Sequence, residues 1–104
     1  IVEGPDQDVP GKIRELVYKK IDAGYKTGVI CTSETRGEYP EGIIYSIGCR
    51  AEEESIARHL YEVLRSFDAD GVEYIYSESF YTPRLGEEIM NRLLKATGHE
   101  IIEI

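Results

Sequence analysis

The chain has 104 residues, with 20 acidic and 12 basic side chains and a formal net charge of −8 at pH 7; its isoelectric point is near 4.7. Such a surface repels phosphate backbones, so direct nucleic-acid binding is not expected without a local basic patch, and no apolar run approaches the roughly 20 residues that a membrane helix needs. A hydrophobic fraction of 41% beside a charged fraction of 31% predicts one soluble globular domain, and a chain of this size buries about 65% of its unfolded surface, enough for a core without metals or disulfides.

Ile1 to Glu3 reads as the tail of a strand, ended by the turn pair Gly4-Pro5. The start at Ile1, without a methionine, shows no signal or transit peptide and suggests that something upstream was removed or is not shown. A helix is predicted from about Pro10 to Ala23, with Ile13, Leu16, Val17 and Ile21 as its apolar stripe and Gly24 as its stop. Lys26 to Cys31 and Gly42 to Ile47 read as strands, joined by a polar hairpin-like or excursion segment containing Gly37 and Pro40. Gly24-Tyr25-Lys26-Thr27-Gly28 precedes a strand rather than a helix, so it is not a phosphate-binding loop.

Arg50 to Asp70 is the longest predicted helix. Ile56, Leu60, Val63, Leu64 and Phe67 form its stripe, Glu52, Glu53 and Glu54 stabilise and solubilise its positive end, and Gly71 closes it. Val72 to Tyr76 follows as a strand, Ser77 to Arg84 as a loop, and Leu85 to Gly98 as a helix with Ile89, Leu93 and Leu94 on one face. Glu87 and Glu88 in its first turn and Lys95 in its last suit the helix dipole. His99 to Ile104 supplies a final strand. The order β-α-β-β-α-β-α-β predicts an α/β fold, a three-layer α/β/α Rossmann-like domain with a mostly parallel sheet of about five strands. No Gly-x-Gly-x-x-Gly follows the first strand, so dinucleotide binding is not expected.

The chain offers little catalytic chemistry. Cys31 and Cys49 lack metal or redox spacing, His59 has no second ligand at helical spacing, and the serines have no partnered histidine. The loop Ser77 to Arg84 is the richest stretch. It carries the Ser77 and Ser79 hydroxyls, the Glu78 carboxylate, Phe80 and Tyr81, and Arg84 just before a helix N-terminus. Three readings stay open for it: a small-molecule or phosphate site, a domain or subunit contact, or loop structure alone. Tyr74, Tyr76, Phe80 and Tyr81, read as exposed aromatics, would suit self-association.

Ile89-Met90-Asn91-Arg92-Leu93, followed by Lys95-Ala96 and Gly98, resembles the end of the C-terminal domain of long-form threonylcarbamoyl-AMP synthases. Ile56-Ala57-Arg58-His59-Leu60-Tyr61 with Leu64-Arg65-Ser66-Phe67-Asp68 resembles that family's other helix, and Gly48 fits the glycine preceding it. In order, these strings span the chain. The resemblance implies a parent enzyme whose separate catalytic domain uses ATP and Mg, with threonine and bicarbonate, to make threonylcarbamoyl-AMP for tRNA modification. Lys12-Ile13-Arg14 matches the catalytic Lys-x-Arg only by chance, the Ser-x-Asn motif is absent, and so is the tyrosine- and proline-containing linker. The resemblance therefore implies a cytoplasmic accessory domain with no cofactor, catalytic residue or metal ligand of its own. Its partner would be the catalytic domain of the same polypeptide, over whose active site it would position the linker as a gate. Ser77, Glu78, Ser79, Arg84, Asn91 and Arg92 are the candidate interdomain or ligand residues; Asn91 would fix the adjacent strand-to-helix loop and Arg92 the loop or interdomain geometry. The alternative is a free-standing small α/β protein that binds a nucleotide or another small molecule through the Ser77 to Arg84 loop.

Overall fold

Three helices form where apolar residues recur at helical spacing. A computed structural model of the chain describes residues 1–39, 43–46, 52–80, 84–98 and 100–104, with 43–46 described by backbone alone. The expectations that rest on Pro40, Gly42, Gly48, Cys49, Arg50, Tyr81 and His99 lie outside the described residues. Helix α1 (Val9–Asp22) buries Val9, Pro10, Ile13 and Val17. Helix α2 (Glu53–Ala69) buries Ile56, Leu60, Val63 and Phe67, and α3 (Gly86–Ala96) buries Ile89, Met90 and Leu93. The expected stripe of α1 is displaced toward its start: Leu16 is half-buried and Ile21, in its last turn, is exposed. Gly24, Gly71 and Gly98 follow the three helices with φ of 90°, 70° and 79°, a backbone that glycine adopts without steric cost.

The strands are β1 (Val2–Glu3), β2 (Thr27–Cys31), β3 (Ile43–Ser46), β4 (Tyr74–Ser77) and β5 (Ile102–Glu103). They do not build the expected single sheet. One sheet runs in the order β3-β2-β4 and a second pairs β1 with β5; every ladder is parallel, and a parallel bridge between Val2 and Glu78 touches both. β1 meets the outer edge of β4 at this one position instead of along a ladder. Because β2 and β3 run parallel, the connection between them cannot be a hairpin. It is the excursion, and it contains a 3₁₀ turn at Arg36–Glu38.

Both faces of the three-stranded sheet are covered. Ile30 packs with α2 and α3, while its neighbours Val29 and Cys31 pack with α1, the period-two alternation of a strand between two apolar layers. All five residues of β2 are buried. At Gly28 the Phe67 ring lies so close that an added Cβ would sit 2.6 Å from its Cε1 atom, so glycine there is a packing requirement. Among the described residues, no helix is long and apolar enough to cross a membrane. The result is a small mixed α/β fold of parallel sheets and three helices.

Candidate functional site

In open parallel sheets ligands collect beyond the carboxyl ends of the strands, and at the ends of β2 and β4 the chain has built a closed polar cluster. Ser77 is the last residue of β4, not the start of a loop. Its side chain is fully buried, and its hydroxyl donates to the Glu78 carbonyl at 2.7 Å. Glu78 is only 2% exposed. Its carboxylate accepts from the Thr35 hydroxyl at 2.7 Å and from the Tyr39 phenol. The Thr32 and Thr35 hydroxyls lie 3.1 Å apart, and the Thr32 amide donates to Thr35 Oγ1 at 3.4 Å. The excursion after β2 is thus folded back across the end of β4 and held there by an acid.

This cluster controls the two weaker acids beside it. Burial, then the negative charge of Glu78, pushes the Cys31 thiol up to about 12 against the opposing pull of Arg36. It is a protonated thiol and a poor nucleophile. Burial, then the hydrogen bond to Glu78, holds the Tyr39 phenol far above its ordinary range, so the phenol stays a donor.

The next residues correct the reading of this stretch as exposed. Phe80 is fully buried, and its amide contacts the Met90 sulfur at 3.3 Å, because α3 folds over it. Tyr74 and Tyr76 are half-buried: Tyr74 packs edge-on against Tyr25 with ring centres 4.9 Å apart and carries the Lys20 ammonium 4.1 Å above its ring.

Just before α3 an acid from α2 holds the incoming chain. Glu53 Oε2 accepts from the Arg84 amide at 3.0 Å and the Leu85 amide at 3.1 Å, and its Oε1 takes the Arg84 Nε at 3.1 Å. Arg84 also pairs with Glu54, and these two acids hold its already high pKa higher still, Glu54 contributing most. Glu53 therefore does more than solubilise the start of α2: it ties that helix end to the two residues that lead into α3.

Asn91 and Arg92 diverge. Asn91 is exposed and, among the described residues, its side chain forms no hydrogen bond. It lines a shallow surface depression with Arg84, Glu88 and Lys95. Arg92 pairs with Glu88 at 3.1 Å and lies 4.5 Å over the Tyr61 ring, bridging α3 to α2. Ser77 and Glu78 thus share the buried cluster, Arg84 stands at the α2–α3 junction, and Asn91 and Arg92 lie farther along α3. Ser79 is half-buried. Tyr39 and Glu53 were missed by the motif reading; an aromatic in an otherwise polar excursion was the one visible hint, for Tyr39. Among the described residues no group of three His, Cys, Asp or Glu side chains is placed to hold a metal, and His59 contacts the Ser55 hydroxyl at 3.3 Å.

Comparison with known proteins bears on the whole chain. Threonylcarbamoyl-AMP synthase of Bacillus subtilis (strain 168) is 41% identical over 93 residues, 89% of this chain and 27% of the relative. Threonylcarbamoyl-AMP synthase of Pyrococcus abyssi (strain GE5 / Orsay) is 40% identical over 104 residues, all of this chain and 29% of the relative. The chain thus spans a little over a quarter of these relatives. Among solved structures, a double alanine variant of P. abyssi Sua5 matches with a TM-score of 0.85 and 39% identity over 99% of this chain and 28% of that one. P. abyssi Sua5 complexed with L-threonine matches at 0.82 with 38% identity over the same shares. The family model described as threonylcarbamoyl-AMP synthase, C-terminal domain, covers residues 1–98, and the chain belongs to that family.

Proposed function

We propose that this chain is the accessory domain of a cytoplasmic threonylcarbamoyl-AMP synthase and that it acts by docking on the catalytic part of the same polypeptide, without performing chemistry itself. ATP, Mg, threonine and bicarbonate would be handled by that other part, and the product would serve tRNA modification; the Rossmann-like layering here would be a scaffold. The observation that carries this reading is the internal use of the groups that otherwise suggest a site. The Glu78 carboxylate is engaged by Thr35 and Tyr39, and the Arg84 and Leu85 amides leading into α3 are engaged by Glu53. The 40% identity along the full chain to a synthase supports the parent activity.

The exposed strip of α3 around Asn91, with Arg84, Glu88 and Lys95, is the docking face on this reading, because its side chains are exposed and Asn91 is not used internally. The test is made on the whole polypeptide. Asn91→Ala should lower the rate of threonylcarbamoyl-AMP formation several-fold while the melting temperature of this domain stays within about 3 °C, since exposed substitutions typically cost under about 0.5 kcal/mol. Unchanged turnover would discard the docking face. Amide exchange with ATP and threonine added separates the alternative: slowing confined to the catalytic part fits an accessory role, whereas slowing at residues 77–84 would favour a small-molecule binder.

A further inference from the structure

The two sheets part on one side of the Val2–Glu78 bridge, and a cleft of about 610 Å³ opens between them, lined by Ile1, Tyr74, Ile75, Tyr76 and Ile102 among others. Its shape is that of a missing strand segment. One edge of β4 is paired with β2 in the register Thr27–Tyr74 to Ile30–Ser77. The amides of Tyr74 and Glu78 donate toward β2, to Lys26 and Ile30, so the alternation of a parallel ladder turns the amide and carbonyl of Ile75 toward the cleft. Extending the Val2–Glu78 register backwards sets Ile1 opposite Ser77, and sets the three positions before Ile1 opposite Tyr76, Ile75 and Tyr74.

The start of β1 is already arranged for that continuation. The Ile1 amine donates to the Glu100 carbonyl at 3.0 Å, and the Ile102 amide donates to the Ile1 carbonyl at 2.8 Å. These are the two bonds of an interior residue in a parallel ladder. Burial lowers the pKa of that amine against the opposing charges of Glu100 and Glu3, whereas a peptide amide would make the same bond without a charge to bury. In the family the domain is C-terminal, so polypeptide leads into it.

We infer that the cleft seats the three or so residues leading into Ile1, which continue β1 along the free edge of β4 and join the two sheets into one. The connection to the rest of the polypeptide is then anchored inside this domain's sheet as an interior strand. The side chains alternate accordingly. Ile1 belongs to the α2–α3 core and Val2 to the α1 core, so the residue before Ile1 packs toward Leu16 and Tyr76 and the one before that toward Ile75 and Ala96; both are apolar. The inference rests on the reading above only for what lies beyond those residues.

Amide exchange on the full-length polypeptide tests it. The three residues before Ile1, and the peptide covering residues 73–78, should exchange at least about 100-fold more slowly than unstructured chain. Proline at the position immediately before Ile1, which removes the amide that faces the Ile75 carbonyl, should speed exchange at Ile75 at least about 10-fold while α2 stays protected. Exchange of the upstream residues at the rate of free chain, or protection that the proline leaves untouched, overturns the inference. So does protection that appears only with concentration and a doubled mass, which would place a second copy's strand in the cleft. None of these readouts depends on synthase activity, so a failure here is distinct from a failure of the docking reading.

Discussion

Replacing Tyr39 with phenylalanine, Glu78 with glutamine, and both together would measure how firmly the excursion after β2 is latched to the end of β4. The phenol and carboxylate are hydrogen-bonded partners at 8% and 2% exposure, so solvent screens them little. Tyr39→Phe removes one donor to a buried charged acceptor, a loss of about 1.5–3 kcal/mol. Glu78→Gln keeps the shape and one acceptor oxygen but points an amide donor at a hydroxyl, at a cost of about 2–3 kcal/mol. In the double variant the glutamine no longer faces the phenol, so the combined cost should fall short of the sum by at least about 1 kcal/mol. Urea unfolding of the 104-residue chain, followed by far-ultraviolet circular dichroism with an unchanged m value as control, gives all three numbers. Costs that add to within about 0.3 kcal/mol would refute the idea that phenol and carboxylate form the latch.

Gly28→Ala should cost about 1–3 kcal/mol, since its Cβ would meet the Phe67 ring at 2.6 Å, and Phe67→Leu in the same background should cost less than it does alone in thermal melts. Glu53→Ala should destabilise by about 1–3 kcal/mol, since it strips a charged acceptor from the Arg84 and Leu85 amides, whereas Glu54→Ala, which loses an exposed pair with Arg84, should cost less than this; equal losses would contradict the role of Glu53 as the tie between α2 and α3. On the alkaline side the folded Cys31 thiol sits near 12 against an ordinary 9. The folded state therefore holds a proton that the unfolded state releases, and this contribution is complete below pH 9 and lost as pH rises toward 12. The slope is at most about 1.4 kcal/mol per pH unit, and Cys31→Ala should flatten it between pH 9 and 10.

The helices, their stops and the succession of elements along the chain were legible because they depend on local periodicity and glycine placement. The acids were not. Glu78 looks like a loop carboxylate in sequence, and its burial is set by Thr35 and Tyr39, 43 and 39 positions away, brought there by a parallel crossover that a polar, glycine-containing segment does not advertise. Glu53 looks like an ordinary first-turn acid of α2; only the packing of α2 against α3 turns it toward the amides of Arg84 and Leu85. Phe80 was misread because the serines beside it suggested exposure, while the α3 core that covers it lies later in the chain. The meeting of β1 with β4 at a single bridge depends on register, which no single-strand pattern encodes. Arg92 was legible as a residue of interest but not as a bridge, since its partner Tyr61 sits on another helix.

The pairing of Val2 with Ile102 also sets a schedule for synthesis. A ribosome adds roughly 5–20 residues per second, so β1 waits on the order of 5–20 seconds before its β5 partner exists at all. During that wait its backbone is an unsatisfied edge open to neighbouring nascent chains. One feature limits the hazard: β1 carries the charged Glu3, a side chain that disfavours stacking of like edges. Residues 1–3 should thus be the last to lock, after the β3-β2-β4 sheet has closed around Ile30, and a stalled or truncated product lacking β5 would be the form that quality-control proteases remove first.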